Sequence, residues 1–141
     1  MDPLKLAFLP LVRNTFDVPF ADQMISAARG ALANAGYQLL EPDQAIGEIG
    51  DARKMADVLE NSPCDLIVIF QATFADSSMV VELTRSADAP VFLWAVPEEW
   101  TGERLRLNSL CGINLAGHAL TLRKRAFEYA YAPPQDDGVL E

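Results

Sequence analysis

The chain carries one histidine, two cysteines and only 11 lysines and arginines in 141 residues, and each shortage closes a class of function. A lone histidine, His118, cannot supply the His-plus-carboxylate set with which a bound ion polarises the oxygens of a substrate. Cys64 and Cys111 lie far apart with no C-x-x-C, which indicates neither a zinc ribbon nor a redox pair; both read as reduced thiols of a cytoplasmic protein. With 20 acidic residues the net charge is −9, against nucleic acid or an anionic membrane as the main partner, because both need a basic footprint. A neutral or weakly charged ligand is the expectation. Apolar runs long enough to cross a bilayer are missing, and Met1-Asp2-Pro3 does not begin as a signal peptide does. The segment LPLVRNTFDVPF lacks the glycines that bring backbone close to a phosphate, so nucleotide binding is not expected.

What is present is a regular alternation of apolar and amphipathic runs, half of all residues being hydrophobic, in a chain of one-domain size. Strands are predicted over 4–11, 37–40, 66–70, 91–96 and 127–131, and helices over 19–36, 51–61, 75–87 and 109–125. LIVIF at 66–70 is continuous, as a strand covered on both faces must be. Phe20, Met24, Ala27, Ala28, Ala31, Leu32 and Ala35 mark one face of the first helix, which Gly36 ends; Met55, Val58 and Leu59 are the packing positions of the second. Arg123, Lys124 and Arg125 suit the negative end of the last helix. The alternation predicts a doubly wound, flavodoxin-like α/β domain of three layers, with a five-stranded parallel sheet in the order 2-1-3-4-5. That order puts the ligand crevice between the first and third strands, beside the loops holding Arg13 and Asn14, and Gln71 and Thr73. Pro133, Pro134, Asp136 and Asp137 look like a turn and a cap whose helix is missing, so residues 1–132 are read as the domain and 133–141 as a tail or the start of a linker to later domains. A frayed tail or a cloning remnant is the plainer account.

RLNSLCGINLAGHAL, at 106–120, sets Asn, Ser, Cys and His around two glycines at a helix start. Asn108 or Ser109 can cap that helix and leave its first N–H groups to a ligand, while Cys111, Asn114 and His118 form one polar stripe. Gly112 and Gly117 suit close packing better than binding. Gln71 and Thr73 emerge where a buried strand ends, and amide and hydroxyl can both donate to and accept from a polyol; Thr73 serves equally as a cap. Arg13 is either a surface arginine paired with Asp17 or Asp22, or a ligand contact. Trp94 could stack on a ligand or cover its pocket, although strand-end tryptophans more often pack; Trp100 reads as exposed or interfacial. Glu98 and Glu99 point apart in an extended loop and read as solvated charge.

Together with LPLVRNTFDVPFA and FQATFADSSM, the 106–120 segment resembles the N-terminal domain of the L-fucose isomerase and L-arabinose isomerase superfamily, over nearly the whole chain. The resemblance implies aldose–ketose isomerisation through an enediol, assisted by a divalent metal, usually Mn2+, whose Glu, Asp and His ligands belong to later domains. It also implies that this domain supplies sugar contacts and homo-oligomer surface, with Arg13 at hydroxyls of an active site completed by a neighbouring subunit, and that His118 in GHAL is a further contact. The candidate substrate-binding set is therefore Arg13, Asn14, Gln71, Thr73, Trp94, Asn108, Ser109 and His118, with no catalytic or metal-ligating residue. Two rivals keep the fold without this chemistry. One is a free-standing binding or regulatory module, favoured by the lack of any acid/base constellation. The other is a phosphoacceptor receiver domain, which needs an aspartate where Gln71 stands.

Overall fold

The computed structural model describes residues 1–85 and 87–141. Its strands are Lys5–Leu11 (β1), Gln38–Leu40 (β2), Leu66–Gln71 (β3), Val91–Ala95 (β4) and Phe127–Tyr131 (β5), all parallel and ordered β2-β1-β3-β4-β5, as the alternation predicts. Its helices are Val18–Asn34 (α1), Ile49–Asn61 (α2), Ser77–Thr84 (α3) and Ser109–Leu122 (α4), followed by a 3-10 turn at Asp137–Val139. No described helix is long and apolar enough to cross a membrane.

Because side chains alternate along a strand, β1, β3 and β4 each feed two cores. Ala7, Leu9, Leu11, Ile67, Ile69 and Leu93 face α2, α3 and α4. Phe8, Phe70 and Trp94 face α1, with Val139 and Leu140 of the tail packed beside them. Burying an aliphatic or aromatic side chain on either face contributes about 1.5–3 kcal/mol. At the surface, Arg85 pairs with Glu82 at 2.7 Å, Glu60 at 2.8 Å and Asp57 at 3.2 Å, joining α3 to α2.

The helices differ from expectation mostly at their ends. Asp17 caps α1 by accepting from the Phe20 N–H at 3.1 Å, and the helix buries Ala21, Ile25, Ala28 and Leu32. Phe20 and Met24 are thus only partly buried, since the stripe is rotated by one residue towards Ala21 and Ile25. α2 starts two residues early, and Val58 is exposed because Ala52, Met55, Ala56 and Leu59 already complete its inner face. α3 is shorter than predicted, starting at Ser77 where Asp76 caps it through the Ser78 N–H at 3.0 Å; Ser86, inside the predicted helix, lies outside the described residues. α4 stops at Leu122, and Lys124 takes a left-handed φ of 56° that ends the helical path. Arg125 leaves the helix end to donate to the Ala87 and Ala89 carbonyls at 2.7 and 2.6 Å. The tail forms the turn its sequence suggests, with Asp136 accepting from the Gly138 N–H at 2.9 Å.

Candidate functional site

The pairing register puts Leu11, Gln71 and Ala95 side by side at the carboxyl ends of three adjacent strands. The chain leaves the sheet there in three loops, and these loops are bonded to one another. The Arg13 N–H donates to Thr73 Oγ1 at 2.8 Å, the Phe74 N–H to the Leu107 carbonyl at 2.7 Å, and the Asp17 N–H to the Arg106 carbonyl at 3.0 Å. Arg13, Gln71 and Asn108, far apart in sequence, are therefore carried by segments that meet at one edge.

Gln71 lies at the centre, 1 % exposed. Its Nε2 donates to the Thr73 carbonyl at 3.3 Å, while its Oε1 has no hydrogen-bond partner. Native proteins rarely leave a buried acceptor unpaired, since desolvating it costs about 1–3 kcal/mol. The amide can lie this deep because α4 offers a glycine where it passes: a Cβ on Gly112 would stand 2.4 Å from Gln71 Cγ and 2.7 Å from its Nε2. Gly117 admits the Phe127 ring in the same way, with a Cβ contact of 2.9 Å. Both glycines serve close packing, as their setting in the sequence suggests.

Several candidate residues turn out to hold the edge together rather than face outward. Ser109, 1 % exposed, donates its hydroxyl to the Gln71 carbonyl and accepts from the Val96 N–H at 3.0 Å, so it bolts α4 to β3 and β4 instead of capping the helix. Thr73 is fully buried and donates to the Phe74 carbonyl at 2.8 Å; the cap of α3 is Asp76, not Thr73. Trp94 is fully buried on the α1 face, edge-on to Phe70 at 5.1 Å, with Nε1 donating to the Ala132 carbonyl at 3.0 Å, and has no ring face left for a sugar. Asn108 occupies the N-cap position in a left-handed conformation, φ 54°, and its side chain makes no cap hydrogen bond. Exposed groups at the edge are Arg13 and Asn14, with Asn108 half-buried behind them. His118 is exposed on the outer side of α4 with Cys111 and Asn114, about 13 Å along the axis from Ser109. The fold does not bring it to Gln71.

Glu98 departs furthest from its reading as solvated charge. Its carboxylate accepts from the N–H groups of Arg106, Leu107 and Asn108 at 2.5, 2.8 and 2.8 Å, so the loop between β4 and α4 is clasped at both ends and an anion already stands before the positive end of α4. The expected vacancy for a ligand at that helix start is to this extent filled. No sequence signal announced it, because Asn108 and Ser109 both read as caps and only the folded loop shows that neither side chain caps the helix. Asp17 makes the second clasp, pairing with Arg106 Nε at 2.8 Å; the Phe20 N–H, and then Arg106, hold its carboxyl below the usual range. Arg13 pairs with neither Asp17 nor Asp22 and lies 5.9 Å from the centroid of Phe74. Arg104 lies 5.0 Å from the centroid of Phe16, and Arg106 4.0 Å from that of Phe20. This lining of arginine and phenylalanine went unread in the sequence, where its members are scattered over four segments.

Of the two thiols, Cys111 is exposed in the first turn of α4, and Cys64 is half-buried, where desolvation pushes its pKa up. Among the described residues no three His, Cys, Asp or Glu side chains come together as metal ligands would.

Residues 7–138 match the family described as fucose/sulfoquinovose isomerase, N-terminal domain. Relatives named sulfoquinovose isomerase include one from Priestia aryabhattai, 26 % identical over 141 residues, and one from Alkalicoccus urumqiensis, 30 % identical over 144. The alignments take in 100 % and 98 % of this chain but only 32 % and 31 % of those relatives. A third relative of that name, from Clostridium sp. (strain MSTE9), is 26 % identical over 99 % of the chain.

Proposed function

The chain belongs to the fucose/sulfoquinovose isomerase N-terminal domain family, and from that premise we propose that it is the sugar-contacting domain of an aldose–ketose isomerase whose proton-transfer and Mn2+-binding groups lie in other domains. The observation that carries this reading is the Gln71 amide, buried at the carboxyl edge with an unpartnered acceptor. A sugar hydroxyl is a donor that satisfies it once the loops over the edge part, since the closed structure buries the atom. Arg13, Asn14 and Asn108 stand nearest solvent at that edge and would meet the hydroxyls first, while Thr73 and Ser109 hold the loops in place. Such an edge binds and orients; the two carboxylates it holds, Asp17 and Glu98, are already engaged by Arg106 and by backbone N–H groups.

Two of the relatives align over all or nearly all of this chain while their own lengths are about three times greater, which fits a division of labour between domains. In that arrangement the cytoplasmic enzyme is a homo-oligomer, and Trp100, 75 % exposed, is a candidate for its interface. The test uses the purified 141-residue chain. Fucose, arabinose and sulfoquinovose should remain unconverted even with Mn2+, while sugar should shift the NMR resonances of the Gln71 side-chain amide and of Arg13. Conversion by the chain alone overturns the division of labour; immobile Gln71 and Arg13 resonances overturn the site. Light scattering that shows a clean monomer at high concentration removes the interface.

A further inference from the structure

The carboxyl edge holds three arginines whose guanidinium groups lie over phenylalanine rings, and they are not equivalent. Arg106 is spent on Asp17 at 2.8 Å. Arg13 and Arg104 make no ion pair among the described residues. They bracket a single aromatic pair: Arg13 over Phe74, Phe74 against Phe16 at 6.1 Å, and Phe16 under Arg104 at 5.0 Å. A guanidinium resting on a ring is restrained in position while its N–H fork stays open to a planar or tetrahedral anion. In addition, the loop carrying Arg104 is clasped by Glu98 through the N–H groups of residues 106–108 and by the Asp17–Arg106 pair. Two oriented, unneutralised cations at one edge are notable in a chain of net charge −9. An anionic substrate would be repelled by such a chain unless a local cation met it.

We propose that Arg104 is the specificity-determining residue of this edge, reading an anionic substituent, sulfonate or phosphate, on the sugar whose hydroxyls Arg13 and Gln71 contact. The proposal rests on the sugar-binding reading above and adds the charge of the substrate to it. The Arg13 backbone N–H is tied to Thr73, whose carbonyl takes the Gln71 amide, and its guanidinium lies over Phe74, next in the chain to Thr73, which assigns Arg13 to the hydroxyl end. Arg104 stands at the other end of the ring pair, where a charged substituent can remain partly hydrated. Sulfoquinovose, the sugar in the relatives' name, is a hexose with a sulfonate at one end, and glucose 6-phosphate carries phosphate at the same position.

The test is a titration of the 141-residue chain with glucose, sulfoquinovose, glucose 6-phosphate and inorganic sulfate, followed at the arginine Nε–H resonances. Sulfoquinovose or the phosphosugar should bind about tenfold more tightly than glucose, the scale of one charge-assisted hydrogen bond. The tighter of the two identifies the substituent. Arg104→Gln should abolish that ratio while leaving the affinity for glucose unchanged, and Arg104→Lys should keep part of it. The proposal is overturned if Arg104→Gln weakens all sugars equally, if it weakens none, if neither anionic sugar binds, or if sulfate shifts exposed Arg53 as much as Arg104. Movement of Arg104 with anionic sugars while Gln71 and Arg13 stay still would keep the anion contact and discard the hydroxyl site. The converse would discard Arg104 alone.

Discussion

The two ends of the sheet handle polar groups in opposite ways. Of the four buried polar residues described, Gln71, Thr73 and Ser109 stand at the carboxyl end, and each binds an element or loop other than its own or leaves an acceptor open. The fourth, Thr84, leads towards the amino end and returns its hydroxyl to the Val80 carbonyl within its own helix. Elsewhere at the amino end the polar contacts lie nearer solvent: Asp65 accepts from the Lys5 N–H at 2.8 Å, and Arg125 closes the turn at Ala87 and Ala89. One end only completes the backbone. The other ties its loops together through buried hydroxyls and leaves one acceptor, Gln71 Oε1, open, which costs stability and is therefore expected where a ligand meets it.

The sharpest way to test this contrast is to remove what lies at the carboxyl end but belongs to the core. Trp94→Ala should destabilise the fold by about 3–5 kcal/mol through loss of a fully buried ring, read by chemical denaturation. A smaller loss, with sugar binding impaired instead, would return Trp94 to the site. Next comes Gly112→Ala, which pushes a methyl into the Gln71 amide and should cost about 1–3 kcal/mol. Combining it with Gln71→Ala should recover most of that loss; additive costs would show that the amide does not lie against α4.

Gln71→Leu should break the contrast in the other direction. Removing an unpartnered buried acceptor should leave stability unchanged or raise it by about 1 kcal/mol, while sugar no longer perturbs Arg13. A variant that unfolds instead would make Gln71 a structural residue. The smallest effect concerns pH. Since the folded pKa of Asp17 lies below the ordinary value of an aspartate, its contribution is complete above that ordinary value and is lost as pH falls through the lower folded pKa. The melting temperatures of the wild type and Asp17→Asn should therefore differ at neutral pH and converge on acidification below roughly pH 4. A constant gap down to strongly acid solution would place the effect elsewhere.

How much was legible can be seen element by element. LIVIF announced β3, the alternation announced the sheet order, and the setting of Gly112 announced a close approach, because all three follow from local pattern. The stripe of α1 was read one residue out of phase, since Phe20 and Met24 outweigh Ala21 in hydrophobicity and only the neighbouring sheet decides which is inside. At the carboxyl edge, the places of Gln71 and Arg13 were legible from the strand ends, but the Glu98 clasp, Arg104 and the phenylalanine pair were not. Glu98 finds its partners eight to ten residues away, and Phe16 meets Phe74 across two loops. No spacing rule reaches across such separations.

By itself, the sequence determined the class of fold, the parallel strand order, the likeness to sugar isomerase N-terminal domains and the edge at which a ligand should be sought. Hydrophobic periodicity and strand-end chemistry are local, and they survive in one dimension. Tertiary structure alone decided which polar residues at that edge are bolts and which are open. Ser109, Thr73 and Gln71 are similar small polar groups in a sequence, yet two spend their hydroxyl protons on backbone carbonyls and one keeps a buried acceptor free. The difference is made by what the folded chain places within 3 Å of each atom, a distance that sequence separation does not encode.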